Sequence, residues 1–316
     1  MIRYYAKQNG QLTELDKPES NCWINISTPF SHEELEGVAE EFDVPLDFLT
    51  DSLDIDERSR YEREEGVRLI VLNTPLKNEK SENNEAIYIT VPIGIILVDN
   101  YMITITSYEN PVLQMFLNGR VKNFNPNDEA SFVLKMMEQN VYRFLTCLKR
   151  LNLKRNTIEK KLYDSSSNSD LRELLSVEKS LVYFVNTLSS NELLKMKMKR
   201  SDFLAIRSDE DKTDLFEDII VDNSQALEMA NVHTRILNGT MEAYASIISN
   251  NLNMVMQRLT LVTVILMVPT LVASFFGMNV PVPFDEGGDT PFYAILIFAI
   301  LVSLLMAWWF RRKSLF

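Results

Sequence analysis

Residues 269–288 read PTLVASFFGMNVPVPFDEGG, and the side chains best placed to do chemistry lie where this apolar run stops. It ends at Gly277, Met278 and Asn279 with an uncharged amide, and Asp285, Glu286 and Asp289 follow within a few residues. An amide carbonyl can accept hydrogen bonds from the water shell of a cation without the trap of a full charge. Mg²⁺ dehydrates reluctantly and usually keeps several waters. A ring of amide oxygens would therefore hold such a hydrated ion loosely enough to release it. The three acids beyond would raise the local cation concentration. Gly277 suits the close approach or unusual dihedrals of a helix end.

Upstream, at alternating steps of three and four, come Asn253, Met256, Thr260, Thr263, Met267, Thr270 and Ser274. Leu261, Val262, Ile265, Leu266, Leu271, Val272 and Phe275 lie between them. One stripe is small, polar or soft and the rest is greasy, with the spacing of a seam between parallel helices. Two readings compete for it. The hydroxyls bond back to their own backbone or hold helices together. Alternatively the stripe lines a pore, which requires several copies around an axis because two helices per chain cannot enclose water. An uncharged lining would leave a passing ion its hydration shell.

The elements that position these residues are two apolar segments. No charged residue occurs between Arg258 and Asp285, or between Asp289 and Arg311. Each gap suits a membrane helix of about 20 residues; a buried globular hairpin is the alternative. Trp308 and Trp309 followed by Arg311, Arg312 and Lys313 read as an interfacial belt and a charged stop. Lys and Arg flank the outer ends and are missing from the connecting loop, which places both termini in the cytoplasm. The second helix, residues 291–310, is apolar on nearly all faces and suits a lipid-exposed outer ring.

A net charge of −12, from 44 acids against 32 bases, argues against a nucleic-acid partner and favours cations. Cys22 and Cys147 fit no paired pattern and read as buried small hydrophobes in a reducing compartment. His32 and His233 are too few and too far apart for a zinc site. The sequons at Asn25 and Asn238 are coincidental in a cytoplasmic region, and MIRYYAKQNG lacks the apolar core of a signal peptide. Residues 1–125 read as a cytoplasmic α/β domain. Its strands are predicted at 21–27, 67–73, 86–91, 93–98 and 101–106, with a tight turn at Asp99-Asn100. Ser31 and Glu34 form a capping box for a helix through Phe42. No glycine-rich phosphate loop, nucleophile elbow or HExxH is present, so neither an enzyme nor an organic cofactor is expected. After Pro126 the pattern turns helical. Residues 126–212 hold an antiparallel hairpin, broken at SSSNS (165–169), and its connection. Residues 213–258 form a stalk helix that runs into the first membrane helix, 259–276. The outer loop is 277–290, the second membrane helix 291–310 and the basic cytoplasmic tail 311–316. A helix continuous from Thr213 to Phe276 would extend roughly 96 Å.

In this organisation the chain resembles the CorA family of magnesium channels. The likeness is closest in YASIISNNLNMVMQRLT (244–260) and MVPTLVASFFGMN (267–279). The resemblance implies a funnel-shaped homopentamer in the cell membrane, with a pore built from five first membrane helices. It implies that the GMN loop selects hydrated Mg²⁺, with Co²⁺ and Ni²⁺ as further substrates. The positions it assigns to the pore are Asn253, Met256, Leu259, Thr263, Met267, Thr270 and Asn279. It thus takes Leu259 where the stripe takes Thr260; a supercoiled seam can turn either inward. Met256 and Leu259 would form an apolar constriction. Family members close when intracellular Mg²⁺ binds between neighbouring cytoplasmic domains. Glu242 matches a regulatory position by its distance from GMN, Asp218 is among the stalk acids, and Glu79, Glu82 and Glu85 are unranked partners from the sheet domain. Three features depart from the family pattern: Phe276 in place of a tyrosine, Pro269 one place late, and the loop PVPFDEGG. The alternatives are a Zn²⁺ transporter of the ZntB-like branch, which Met278 disfavours, and a membrane-anchored sensor or scaffold without conduction.

Overall fold

The computed structural model describes residues 1–8, 11–79, 85–99, 101–122, 124–164, 168–278 and 290–313. They fall into two compact units, Met1–Thr240 and Met241–Phe316. The first carries strands β1 (Ile2–Gln8), β2 (Gln11–Leu15), β3 (Trp23–Ser27), β4 (Arg60–Glu64), β5 (Val67–Lys77), β6 (Tyr88–Val98) and β7 (Tyr101–Thr106). They form one seven-stranded sheet in the order β2-β1-β3-β7-β6-β5-β4. All neighbours are antiparallel except β3 and β7.

The period-two pattern of the strands gives the sheet two apolar faces. Leu69, Val71, Ile96, Ile103 and Ile105 point to one face, under α1 (His32–Phe42) and α2 (Leu46–Asp51). Ile70, Leu72, Ile93, Ile95 and Leu97 point to the other, under α3 (Pro111–Leu117), α4 (Glu129–Asp164), α5 (Asn168–Ser201) and the first turns of α6 (Glu210–Phe276). The result is a helix–sheet–helix sandwich. Trp23 centres the second core. Its ring meets those of Tyr5, Phe116, Phe124 and Phe132 at centroid distances of 5.3–6.4 Å. Its indole donates to Thr104 Oγ1 at 2.8 Å, and that hydroxyl donates to Asn25 Oδ1 at 2.9 Å, so the buried polar atoms are paired. Gly94 is required on the opposite face, because a Cβ there would lie 2.2 Å from Ser52 Oγ on the segment that follows α2.

The expected capping box is present: Ser31 Oγ accepts from Glu34 N at 3.2 Å, and Glu34 Oε2 accepts from Ser31 N at 2.7 Å. The two strands expected at 86–91 and 93–98 are one, β6, running through Pro92. The β7 ladder reaches only the Gly94–Ile105 pair, so Pro92 lies past its end, where no donor is needed. Of the expected turn, Asp99 adopts φ 35° between the paired Val98 and Tyr101, and Asn100 lies outside the described residues. Strands β1, β2 and β4 and helices α2 and α3 were not anticipated. β2 and β4 are edge strands rich in polar residues, and the two helices are only 6 and 7 residues long.

Helices α4 and α5 are the antiparallel pair expected after Pro126; of the break at SSSNS, residues 165–167 lie outside the described residues. Asp128 caps α4 by accepting from Ser131 N at 3.0 Å, and it also pairs with Lys212 at 2.9 Å. Asp209 Oδ1 accepts from Lys212 N at 3.1 Å, so α6 begins at Glu210, three residues before the expected Thr213. In the interior between α5 and α6, Lys195 Nζ donates to Asn223 Oδ1 at 2.8 Å and Asn223 Nδ2 donates to the Leu188 carbonyl at 3.0 Å. The second unit consists of the remainder of α6 and α7 (Thr290–Arg312). Both stretches are long and apolar enough to cross a membrane, and almost none of either is buried. That exposure is the opposite of what a buried globular hairpin requires. The architecture is an amino-terminal α/β domain, a long helix and two carboxy-terminal apolar helices.

Candidate functional site

In the second unit α7 covers one side of α6. The half-buried positions of α6 there are Leu261, Val264, Ile265, Val268, Pro269 and Val272. From that side Ser303 of α7 reaches the Ile265 carbonyl at 3.4 Å, next to the buried Ala299. Small residues at 299 and 303 let the helices approach closely.

This contact follows from a proline. Residue 269 is where α-helical geometry would supply an N–H to the Ile265 carbonyl, and Pro269 has none. Water is not available to an apolar helix in hydrocarbon, so a freed carbonyl needs a side chain or a neighbouring helix. The Ser303 hydroxyl serves it, while lying 3.0 Å from the Ala299 carbonyl of its own helix. Sequence reading missed this pair. Its signal was one serine in the middle of an otherwise apolar second helix, opposite one proline in the first.

The stripe lies on the other side. Met256, Thr260, Thr263, Met267, Thr270 and Ser274 are all exposed, as is Asn253 at the near end. At about 100° per residue the stripe is centred roughly 150° around α6 from the positions under α7. Leu259, also exposed, borders the same face. The lone chain therefore leaves uncovered the one polar stripe of its apolar helix. The hydroxyls do what the first reading of the stripe expected. Thr260, Thr263 and Thr270 donate to the carbonyls of Met256, Leu259 and Leu266 at 2.9, 2.8 and 3.0 Å. This does not remove them from a lining. A hydroxyl whose hydrogen is given to the backbone still presents acceptor lone pairs outward.

At the end of α6, Gly277 N donates to the Ala273 carbonyl at 2.9 Å and Met278 N to Phe275 at 3.4 Å. Gly277 is not in the left-handed region, so unusual dihedrals are not the reason for glycine here. A Cβ at 277 would lie 3.3 Å from the Ala273 carbonyl oxygen, and the position is exposed. Asn279 and the acids Asp285, Glu286 and Asp289 lie outside the described residues.

Among the proposed regulatory acids, Glu79, Glu85, Asp218 and Glu242 are exposed, and Glu82 lies outside the described residues. Glu85 accepts a hydrogen bond from Asn78 Nδ2 at 3.3 Å. Among the described residues of one chain no three acids, histidines or cysteines come together as a metal site. The stalk acids Glu217 and Glu228 are ion-paired, to Lys199 at 2.6 Å and to Arg235 at 3.0 Å.

Comparison with known proteins bears on this geometry. Residues 18–312 match the family described as CorA-like Mg²⁺ transporter protein. The cobalt/magnesium transport protein CorA of Methanocaldococcus jannaschii is 25% identical over 296 residues, spanning 92% of this chain and 90% of that one. The complete structure of the CorA magnesium transporter from the same organism superposes with a TM-score of 0.82 at 23% identity, covering 99% of this chain and 98% of the other. The ZntB cytoplasmic domain of Vibrio parahaemolyticus superposes with a TM-score of 0.60 at 13% identity, covering 79% and 97% of the two chains. At these structural identities the likeness is one of fold.

Proposed function

Because the chain belongs to the CorA-like Mg²⁺ transporter family, we propose that it conducts Mg²⁺ into the cell as a homopentamer, with Co²⁺ and Ni²⁺ as further substrates. The observation that carries this reading is the uncovered polar stripe of α6, on the side away from α7 and running toward Gly277 and Met278. Five such helices around an axis would bury the stripe and leave α7 outside, against lipid, with both termini in the cytoplasm.

The chemistry of the lining suits an ion that keeps its waters. The shell of a hydrated cation points hydrogens outward, so it is matched by acceptors. Threonine oxygens whose own hydrogens are committed to the backbone are such acceptors, and so is the amide carbonyl of Asn279. The absence of carboxylates along Leu259–Met278 means that no site holds the ion too tightly to release it. Asn279, with Gly277 and Met278, is the selecting ring at the outer mouth; Asp285, Glu286 and Asp289 enrich cations outside it. Met256 and Leu259 form a hydrophobic constriction near the cytoplasmic end, which stops ions by excluding water. Intracellular Mg²⁺ closes the channel by bridging acids of adjacent subunits, Glu242 and Asp218 on the stalk with Glu79, Glu82 or Glu85. Without metal these carboxylates repel, and a divalent ion converts the repulsion into a link.

The deciding experiment is uptake of Mg²⁺ and of Zn²⁺ by the purified chain in liposomes, with and without a proton gradient. Mg²⁺ uptake that needs no gradient supports the reading. Proton-coupled Zn²⁺ uptake without Mg²⁺ flux assigns the chain to ZntB-like transport instead, and no flux of either ion leaves a sensor or scaffold.

A further inference from the structure

Helix α5 ends at Ser201 and α6 begins at Glu210, and the segment joining them shares with both helix ends the lining of a cavity of about 480 Å³. That volume lies within the ~300–1,000 Å³ of small-molecule sites. Two residues in the left-handed region, Asp202 (φ 51°) and Ala205 (φ 53°), fold the segment. Leu204 and Ile206 are buried on either side of the exposed Ala205 and, with Met198 of α5 and Phe216 of α6, give the cavity an apolar wall. Hydrogen bonds within the chain fix this wall. Phe203 N donates to the Met198 carbonyl at 3.1 Å, Asp202 Oδ1 accepts from Ile206 N at 3.0 Å, and Thr213 Oγ1 donates to the Ile206 carbonyl at 3.0 Å. The exposed side chains of the lining differ in kind: apart from Met196 they are the cations Lys199, Arg200 and Arg207. Lys199 is paired with Glu217 at 2.6 Å, and Arg207 has Asp202 at 3.8 Å and the Arg200 carbonyl at 3.0 Å. The Arg200 guanidinium makes no ion pair or hydrogen bond among the described residues.

We propose that this cavity binds a small amphipathic carboxylate of the medium-chain fatty-acid class, with its chain against the apolar wall and its carboxylate at Arg200. Basic residues in the last turn of a helix need no ligand to account for them, because they answer the negative end of its dipole. They do not account for an apolar cavity with those same side chains in its lining. The two features together define the occupant. An inorganic anion would leave the wall of Leu204, Ile206 and Phe216 uncovered, and a neutral apolar molecule would leave the cations unused. Once Glu217 and Asp202 are set against Lys199 and Arg207, one positive charge remains, which matches one carboxylate. A guanidinium fork holds a carboxylate through two parallel N–H donors, and the fork of Arg200 is uncommitted. The site lies in the Met1–Thr240 unit and does not depend on which ion the chain conducts.

The test uses the full chain in lipid nanodiscs at neutral pH, with empty nanodiscs as the blank and a diazirine-bearing octanoate as the probe. Photolysis should label the cavity lining between Met196 and Ile220, read by peptide mass spectrometry, and unlabelled octanoate should displace the label. Octanol, with the same chain and no charge, should compete about tenfold less well, and acetate, with the charge and no chain, should not compete. Arg200→Gln removes an exposed, unpaired charge and should raise the probe concentration for half-maximal labelling about tenfold, through loss of a charge-assisted hydrogen bond. Labelling confined to the apolar stretches of α6 and α7 overturns the proposal. So does competition by octanol equal to that by octanoate, or an Arg200→Gln titration superimposable on that of the wild type. Should Arg200→Gln fail to fold, the comparison of octanoate with octanol on the wild type decides.

Discussion

Replacing Ser303 with alanine tests whether α7 holds α6 at its proline defect. The hydroxyl is 3.4 Å from the Ile265 carbonyl and 3.0 Å from that of Ala299, so one hydrogen is shared between two acceptors and the longer arm is weak. Hydrogen bonds between membrane helices average about 0.6 kcal/mol and reach about 1.7. The long distance puts this contact at the lower figure. Ser303→Ala should therefore destabilise the packing of α6 and α7 by about 0.6 kcal/mol. The contact exists because residue 269 has no N–H, and this gives the experiment its control. In a Pro269→Ala background the Ile265 carbonyl regains its helical donor, and Ser303→Ala should then cost close to nothing. The measurement is a double-mutant cycle on reversible unfolding in mixed micelles, with a coupling of about 0.6 kcal/mol expected between positions 265's two possible donors. Additive costs, within the usual 0.3–0.5 kcal/mol scatter of about that size, would mean that Ser303 does not serve the freed carbonyl.

Asn279→Ala should reduce Mg²⁺ uptake in liposomes to the level of protein-free vesicles while the oligomer survives on gel filtration; normal uptake would remove Asn279 from the selecting ring. Met256→Asp should leak Mg²⁺ under conditions that close the wild type, and an unchanged leak would leave Met256 as packing only. Glu242→Ala should need about tenfold more Mg²⁺ to protect the cytoplasmic domain from protease, the equivalent of about 1.4 kcal/mol. Superimposable titrations would place the regulatory metal elsewhere. Lys195 is fully buried, and burial lowers its pKa from 10.5 to about 7 against a smaller opposing effect of Glu192. Between those values the unfolded chain holds a proton that the folded chain has shed, so stability should rise with pH across that window, by about 1.4 kcal/mol per unit. Below it both states are protonated and the slope disappears. Lys195→Met should lack that slope, so the difference between the two stability curves should change across this window, and parallel curves would refute the buried neutral amine.

The parts of this molecule that were legible in sequence are those where one period dominates. β7 alternates cleanly, the capping box fixes the start of α1, and the uncharged runs leave little choice for the two apolar helices. The polar stripe on α6 was legible for the same reason, since steps of three and four can only describe one side of a helix. The failures have equally physical causes. β4, RYERE, owes its place to pairing with β5 and not to its own side chains, so its charge content concealed it. Pro92 read as a strand break because sequence cannot say where a neighbouring strand ends. Lys195 and Asn223 gave no signal at all, being ordinary polar residues on helices whose pairing is a property of the bundle.

The same distinction explains why the stripe needed the structure to become an argument for conduction. A row of threonines on an apolar helix is consistent with helix glue, with backbone capping and with a lining. The back-bonds from Thr260, Thr263 and Thr270 are the second of these, yet they also fix the direction of each hydroxyl dipole. With the hydrogen turned to the helix, each oxygen faces outward as an acceptor. An acceptor row repels anions and suits the outward hydrogens of a hydrated cation, whereas freely rotating hydroxyls would serve either charge. Helix glue would require the stripe to meet α7, and α7 packs on the far side, where it repairs the carbonyl that Pro269 leaves open. Within one chain the stripe therefore has no partner among the described residues, and the proposed ring of copies around an axis is what would cover it, while α7 packs at Pro269 on the opposite side of α6.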